Sequence, residues 1–384
     1  MQARKTPTGM AVLITGRTGT KQRRMAAVLS TDAAAEPSGS IPSSGVFVVD
    51  KPQGVTSHDV VAAARKLLHM KKVGHAGTLD PMATGALVIG FGKATRLLNV
   101  ITGADKTYET VIRLGQSTAT DDAEGSITRE YDTSAVSDGQ IYAAARSLTG
   151  TIRQVPSAFS AVKVNGRRAY DLAREGKPAE LAARTVTISD FTVDSIVRRE
   201  IRQDDSSSPD GSRSTAGSAG AVIDIHAHIT CSSGTYIRAV ARDLGATLNN
   251  GAHLTMLRRI RVGKFALDAA QANQPVRPAI PAAAEKQVFT ARDGGTVVRN
   301  RAAFPDNVQR RLQHCLYSPA EAAALAMPVL AVSDADTEIL RHGGMLPAHI
   351  TSLTAAVNTG SHELIALVEP WKHHTAKPAA VFIA

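Results

Sequence analysis

The chain has 384 residues, 43% of them hydrophobic and 20% charged, the balance of an ordinary globular protein with room for two domains of about 100–200 residues each. The longest apolar runs, residues 10–14, 86–89 and 324–332, fall well short of the roughly 20 residues of a spanning helix, which excludes a helical membrane protein. Two cysteines, Cys231 and Cys315, exclude a disulfide scaffold and a cysteine-based zinc module and fit a reducing cytoplasm, while 44 Lys and Arg against 34 Asp and Glu give a net charge of +10, which makes nucleic acid a partner to consider.

Location weakens the charge argument. Six of the basic residues (Arg4, Lys5, Arg17, Lys21, Arg23, Arg24) fall in the first 30 positions, where there is no acid, leaving 38 against 34 in the rest. Residues 1–44 show no sustained period and are expected to be a disordered basic tail without a signal peptide. Ordered structure is expected from a strand at 46–49 and a Lys51-Pro52-Gln53-Gly54 turn. Ser57 is placed to cap a helix whose Val60, Val61, Ala64, Leu67 and Leu68 share one face. A glycine-punctuated loop, 74–85, leads into a strand at 87–91. Further strands are expected at 107–114, 160–164, 185–197, 221–231 and 253–265, and helices at 94–101, 138–148, 169–175 and 235–248. Residues 203–220, rich in Ser, Asp and Gly, read as an inserted surface loop. Strands outnumber helices without a βαβ alternation, so the fold class is α+β. Residues 275–326 read as a linker with a short helix near 319–325, and β-like pieces in 327–384 make a small β-rich C-terminal domain.

The most informative stretch is Gly74-His75-Ala76-Gly77-Thr78-Leu79-Asp80-Pro81-Met82-Ala83-Thr84-Gly85. Pro81 pushes Asp80 into an extended conformation and supplies no N–H for its carboxylate to cap, and the glycines admit a second backbone at close range. Asp80 is thus presented outward from a shaped loop, the plain alternative being an Asp-Pro turn. At this point the sequence resembles the TruB family of bacterial tRNA pseudouridine synthases, which modify the uridine at position 55 of the T-arm and whose signature is Gly-His-x-Gly-x-Leu-Asp-Pro-x-Ala-Thr-Gly. Further blocks follow in the family's order: Lys51-Pro52-Gln53-Gly54-x-Thr56-Ser57, Lys106-x-Tyr108, Leu114-Gly115 through Thr120-Asp121-Asp122-Ala123-x-Gly125, Gln154-x-Pro156-Ser157-x-Phe159-Ser160-Ala161-x-Lys163, Cys231-Ser232-x-Gly234-Thr235-Tyr236-Ile237-Arg238 and Leu257-Arg258-Arg259. Phe159 stands where the family usually has tyrosine.

The resemblance covers residues 45–270 and, more loosely, 327–384. It implies a pseudouridine synthase catalytic domain at 45–274 with a mixed, mainly antiparallel central sheet and flanking helices, and an RNA-binding PUA-like domain at 327–384. It further implies a monomeric, cytoplasmic isomerase that uses neither cofactor nor metal and acts on the T-arm of tRNA after flipping the base out. Asp80 matches the catalytic aspartate, as nucleophile at C1′ or base at C2′. Arg238 is placed to pair with it, and Tyr108 matches the tyrosine that packs on the target base. His75 resembles the residue that fills the vacated space, and Tyr236 and Leu257 line the uracil pocket. Lys51, Lys163, Arg258 and Arg259 are candidate phosphate contacts. The rival reading is a tRNA-binding folding helper whose catalysis is dispensable or lost. Gly16–Lys21 fails the spacing of a phosphate loop, and His226 and His228 share a strand face without a third ligand.

Overall fold

Val46, Phe47, Val48 and Val49 follow one another without a polar residue, so both faces of their strand have to be covered. In the computed structural model all four are fully buried: Phe47 and Val49 enter one apolar cluster, Val46 and Val48 a second on the opposite face. The structure describes residues 41–160, 162–164, 166–176, 180–200, 221–272, 276–290 and 295–383. The tail up to residue 40 and the 203–220 insertion lie outside the described residues. Residues 41–44 are seated on the core, where the Ser44 hydroxyl donates to the Phe91 carbonyl (3.2 Å) and accepts from the Ala94 amide (2.8 Å).

A ten-stranded sheet organises the chain. Its order is Ile280–Pro281, Gly45–Lys51, Thr84–Phe91, Ala252–Val262, Lys106–Leu114, Ala221–Cys231, Arg184–Glu200 and Gly150–Gln154, with Val73–His75 and Phe265–Ala266 attached at the side. Only the pairs of Ile280–Pro281 with Gly45–Lys51 and of Ala252–Val262 with Thr84–Phe91 are parallel. The mixed, mainly antiparallel α+β sheet expected from the resemblance is therefore present. Helices Ser57–Leu68, Asp138–Ser147 and Ile237–Thr247 bury their apolar stripes in the first cluster, through Val60, Ile141 and Val240 among others.

Local expectations shift in detail. Thr56, not Ser57, caps the first helix: it accepts from the Asp59 amide, and Asp59 returns the bond to the Thr56 amide, a capping box that Ser57 is one residue too late to make. Ser57 instead turns inward to the loop that carries Asp80. The strand expected at 160–164 shortens to Lys163–Val164, paired with Arg167–Arg168. The stretch 275–326, read as a linker with a short helix near 319–325, holds that helix as Pro319–Ala326 and, beyond the expectation, helix Val308–Cys315 and a hairpin of Ala283–Thr290 with Thr296–Ala303.

The C-terminal stretch forms its own four-stranded sheet, in order Val329–Val332, Thr354–Asn358, Leu364–Trp371 and Thr375–Val381. One face packs on helix Asp334–Arg341 around Leu340 and Ile365. The other face, through Ala355, Val357 and Leu367, shares the second apolar cluster with Val46, Val48 and Val88 of the large sheet, helix Pro319–Ala326 packing against both. Deleting residues 327–384 would therefore bare apolar surface on the rest of the chain.

Candidate active site

Gly74 to Gly85 is held in place by backbone rather than by side-chain packing alone. Gly85 has φ +99°, and a Cβ there would stand 2.2 Å from the Arg259 carbonyl, so only glycine allows the loop to lie against strand Ala252–Val262. The Ser57 hydroxyl accepts from the Leu79 amide (2.8 Å) and donates to its carbonyl (3.1 Å), and the Gly54 amide donates to Pro81 (2.8 Å). Leu79, Met82 and Ala83 are buried around Asp80, whose side chain alone among these neighbours keeps access to solvent, at 39%.

Arg238 meets Asp80 from the start of helix Ile237–Thr247. Its Nε lies 3.0 Å from Asp80 Oδ2, and its side chain is 6% exposed. The rest of the guanidinium fork is bound from behind: one terminal nitrogen donates to the Thr120 carbonyl (3.0 Å) and lies 3.5 Å from Asp122 Oδ2, and the other donates to the Phe159 carbonyl (2.8 Å). A guanidinium fastened at both terminal nitrogens has no rotamer freedom left, so Nε fixes the Asp80 carboxylate. Glu124 and Asp121 complete an acidic rim, and burial raises the pKa of both, with Asp122 and Asp80 adding to the rise at Glu124.

Strand pairing brings up the remaining residues. Tyr108 sits opposite Arg259 in neighbouring strands and is buried. Burial raises the tyrosine pKa and Arg259 counters part of that rise. Leu257 is buried in the same apolar cluster as Tyr108. Tyr236 is held through its backbone by Gln154, whose side chain accepts from the Tyr236 amide (2.9 Å) and donates to its carbonyl (3.2 Å). His75 is half-buried with its ring edge-on to His58 at 5.9 Å, and burial first, then His58 and Arg259, lower its pKa, which favours the neutral imidazole.

The expected phosphate contacts are placed otherwise. Lys51 is fully buried, and its ammonium donates to the carbonyls of Val55 (2.7 Å), Pro52 (3.1 Å) and Pro81 (3.4 Å); burial lowers its pKa to about 8 despite the pull of Asp80. Arg259 is equally buried and donates to Ala86 (2.8 Å), Gly77 (3.0 Å) and Thr78 (3.4 Å). Arg258 forms a two-pronged pair with Asp50 at 2.9 and 2.8 Å. Lys51 and Arg259 brace the Asp80 loop from inside, whereas Arg258, about a third exposed, ties its strand to Gly45–Lys51. The Lys163 side chain lies outside the described residues.

Substituting Lys51 separates the two roles. Lys51→Met removes the donor from three carbonyls, each costing about 1–3 kcal/mol if left bare, so the melting temperature and turnover should fall together while RNA affinity and its salt dependence hold. Thermal melts beside RNA titrations at two salt concentrations check this. Intact stability with weakened, less salt-dependent binding would restore Lys51 as a phosphate contact. Asp122 and Gln154, which fix Arg238 and Tyr236, were not separable by sequence from their neighbours, although both lie in blocks quoted for the resemblance.

The fold and the carboxylate–guanidinium pair at its loop define the chain as a pseudouridylate synthase. It belongs to the TruB family: the model of the TruB family pseudouridylate synthase N-terminal domain matches residues 65–237, and the tRNA pseudouridine synthase B of Bifidobacterium longum (strain DJO10A) is 45% identical over 382 residues, 88% of this chain and 98% of that protein. The tRNA pseudouridine synthase B of an Arthrobacter species (strain FB24) is 55% identical over 228 residues, 59% of this chain and 69% of that protein. Among solved structures, an H/ACA RNP bound to a substrate RNA containing 2′-deoxyuridine shares the fold, with TM-score 0.55 and 22% identity over 88% of this chain and 85% of that one. No helix among the described residues is long and apolar enough to cross a membrane.

Proposed function

We propose that this chain isomerises the uridine at position 55 in the T-arm of tRNA to pseudouridine, working as a cytoplasmic monomer. The observation that carries the reading is the Asp80–Arg238 contact at 3.0 Å, with Asp80 open to solvent on a rigid loop and Arg238 anchored behind it. A carboxylate so placed can serve once a base has been flipped out of its stack and its sugar brought to the loop. The N1–C1′ bond breaks and the uracil keeps its electron pair; the ring turns, C5 bonds C1′, the C5 proton leaves, and N1 takes up a proton. Asp80 supports cleavage as the nucleophile at C1′ or as the base at C2′. The steps are redox-neutral and call on no group beyond charge and proton transfer.

Tyr108 and Leu257, buried in one apolar cluster on paired strands, and Tyr236 at the head of the Arg238 helix bind the flipped uracil, and His75 occupies the space it leaves. The Tyr108 hydroxyl assists proton removal at C5. Tyr108→Phe keeps the ring and should slow product formation by about 10²-fold, the low end for a lost acid–base group, with little change in RNA affinity. Single-turnover assays at saturating RNA read this directly, and a rate within threefold of wild type would reduce Tyr108 to a packing residue. Site assignment is tested by mapping pseudouridine in a tRNA transcript and in one whose uridine 55 is replaced by cytidine. The second should carry none; modification at another uridine would refute the T-arm assignment.

A further inference from the structure

A two-stranded ribbon leaves the large sheet beside the active-site loop. Ile280–Pro281 runs parallel to the end of Gly45–Lys51, the Ala282 amide donates to the Asp50 carbonyl (3.2 Å), and the chain continues as Ala283–Thr290 and returns as Thr296–Ala303. The root is pinned to the catalytic domain. Arg301 pairs with the buried Asp59 of helix Ser57–Leu68, and Asn300 lies so close to Gly54 that a Cβ there would be 2.8 Å from its amide nitrogen. Gly54 in turn donates to Pro81, the residue after Asp80. The ribbon therefore begins one hydrogen bond away from the loop that carries the catalytic carboxylate.

Beyond the root it stands in solvent. Every residue of Ala283–Thr290 is exposed, and Val288 and Val298, directly opposite each other, are 69% and 57% exposed. Neither edge pairs with another strand among the described residues. Two strands alone are marginal in water, and bare edges beside an apolar pair invite aggregation unless something covers them. Strands of eight residues at about 3.3 Å each reach about 26 Å, enough to follow several nucleotides of a bound strand.

Charge indicates what covers the ribbon. Lys286 and Arg299 are exposed on it, and the helix it packs against, with the turn that follows, exposes Arg65, Lys66, Lys71 and Lys72. The one acid of residues 57–75, Asp59, is buried and already paired with Arg301. We propose that the ribbon and this basic helix surface form an RNA-binding arm that holds the phosphate backbone of the same RNA whose uridine reaches Asp80, the apolar valine pair lying against its sugars. This rests on the pseudouridine synthase reading and adds to it a contact surface distinct from the C-terminal sheet.

The test uses the full chain and an unmodified tRNA transcript. In Lys286→Ala/Arg299→Ala the loss of two phosphate contacts should raise KM and Kd about tenfold near physiological salt and flatten the slope of log affinity against log salt by about 1.5, with kcat within twofold of wild type. Val288→Ser/Val298→Ser should raise KM less and leave the salt slope unchanged. Unaltered KM, Kd and slope in the charge variant would overturn the arm, as would a fall in kcat alone. A wild-type chain that binds the transcript without converting it would sink the synthase reading instead, and the binding constants would still decide on the arm.

Discussion

Asp80→Asn should form pseudouridine at least about 10³-fold more slowly than wild type, a barrier increase of about 4 kcal/mol, with T-arm affinity changed little. The substitution preserves size and loop geometry, because the loop is held by Ser57, Lys51 and Arg259 through backbone atoms and not through the Asp80 side chain. What it removes is the charge that both versions of the mechanism require, whether the carboxylate attacks C1′ or takes a proton from C2′. RNA affinity has no reason to follow, because neither the loop nor the fold around it changes. Single-turnover rates beside filter-binding constants measure both. A rate within about tenfold of wild type, a change of only about 1.4 kcal/mol, would sink the assignment and promote the folding-helper reading.

Arg238→Met should cost stability as well as rate. The methionine leaves the Thr120 and Phe159 carbonyls without their donor and Asp122 buried without its nearest cation, and breaking a buried pair from one side typically costs about 3–5 kcal/mol. Asp80, freed from Nε, also loses its fixed rotamer, so turnover should fall by about 10³-fold even well below the melting temperature. Arg238→Lys keeps the charge but not the fork and should recover only part of both losses. The double mutant with Asp80→Asn should be no slower than the worse single mutant, because both residues serve one step. Additive rate losses in that cycle would show that Arg238 acts on something other than Asp80.

Sequence made the Asp80 loop legible because its chemistry is local. Pro81, Gly77 and Gly85 constrain the backbone within a few residues, and the resulting pattern is continuous along the chain. Partners that meet across the sheet were not legible in the same way. Arg258 and Asp50 stand 208 positions apart, and nothing near either one names the other. Lys51 and Arg259 were read as surface cations because burying a charge is costly, and the carbonyl cages that offset this cost appear only when the turn, the loop and two strands converge. The hairpin of Ala283–Thr290 with Thr296–Ala303 escaped for a different reason: with solvent on most of its surface, it shows no alternation of apolar and polar residues. Thr56 and Ser57 are both good caps, and only the position of Asp59, three residues after Thr56, distinguishes them.

The most direct test of the account is release of tritium from a T-arm transcript labelled at C5 of its uridines. Joining C5 to C1′ expels the C5 hydrogen, so wild-type protein without added cofactor should release one label per transcript, all of it from position 55, while Asp80→Asn releases almost none over the same time. Binding of the transcript with no release of tritium, or release that persists in Asp80→Asn, would contradict catalysis at Asp80.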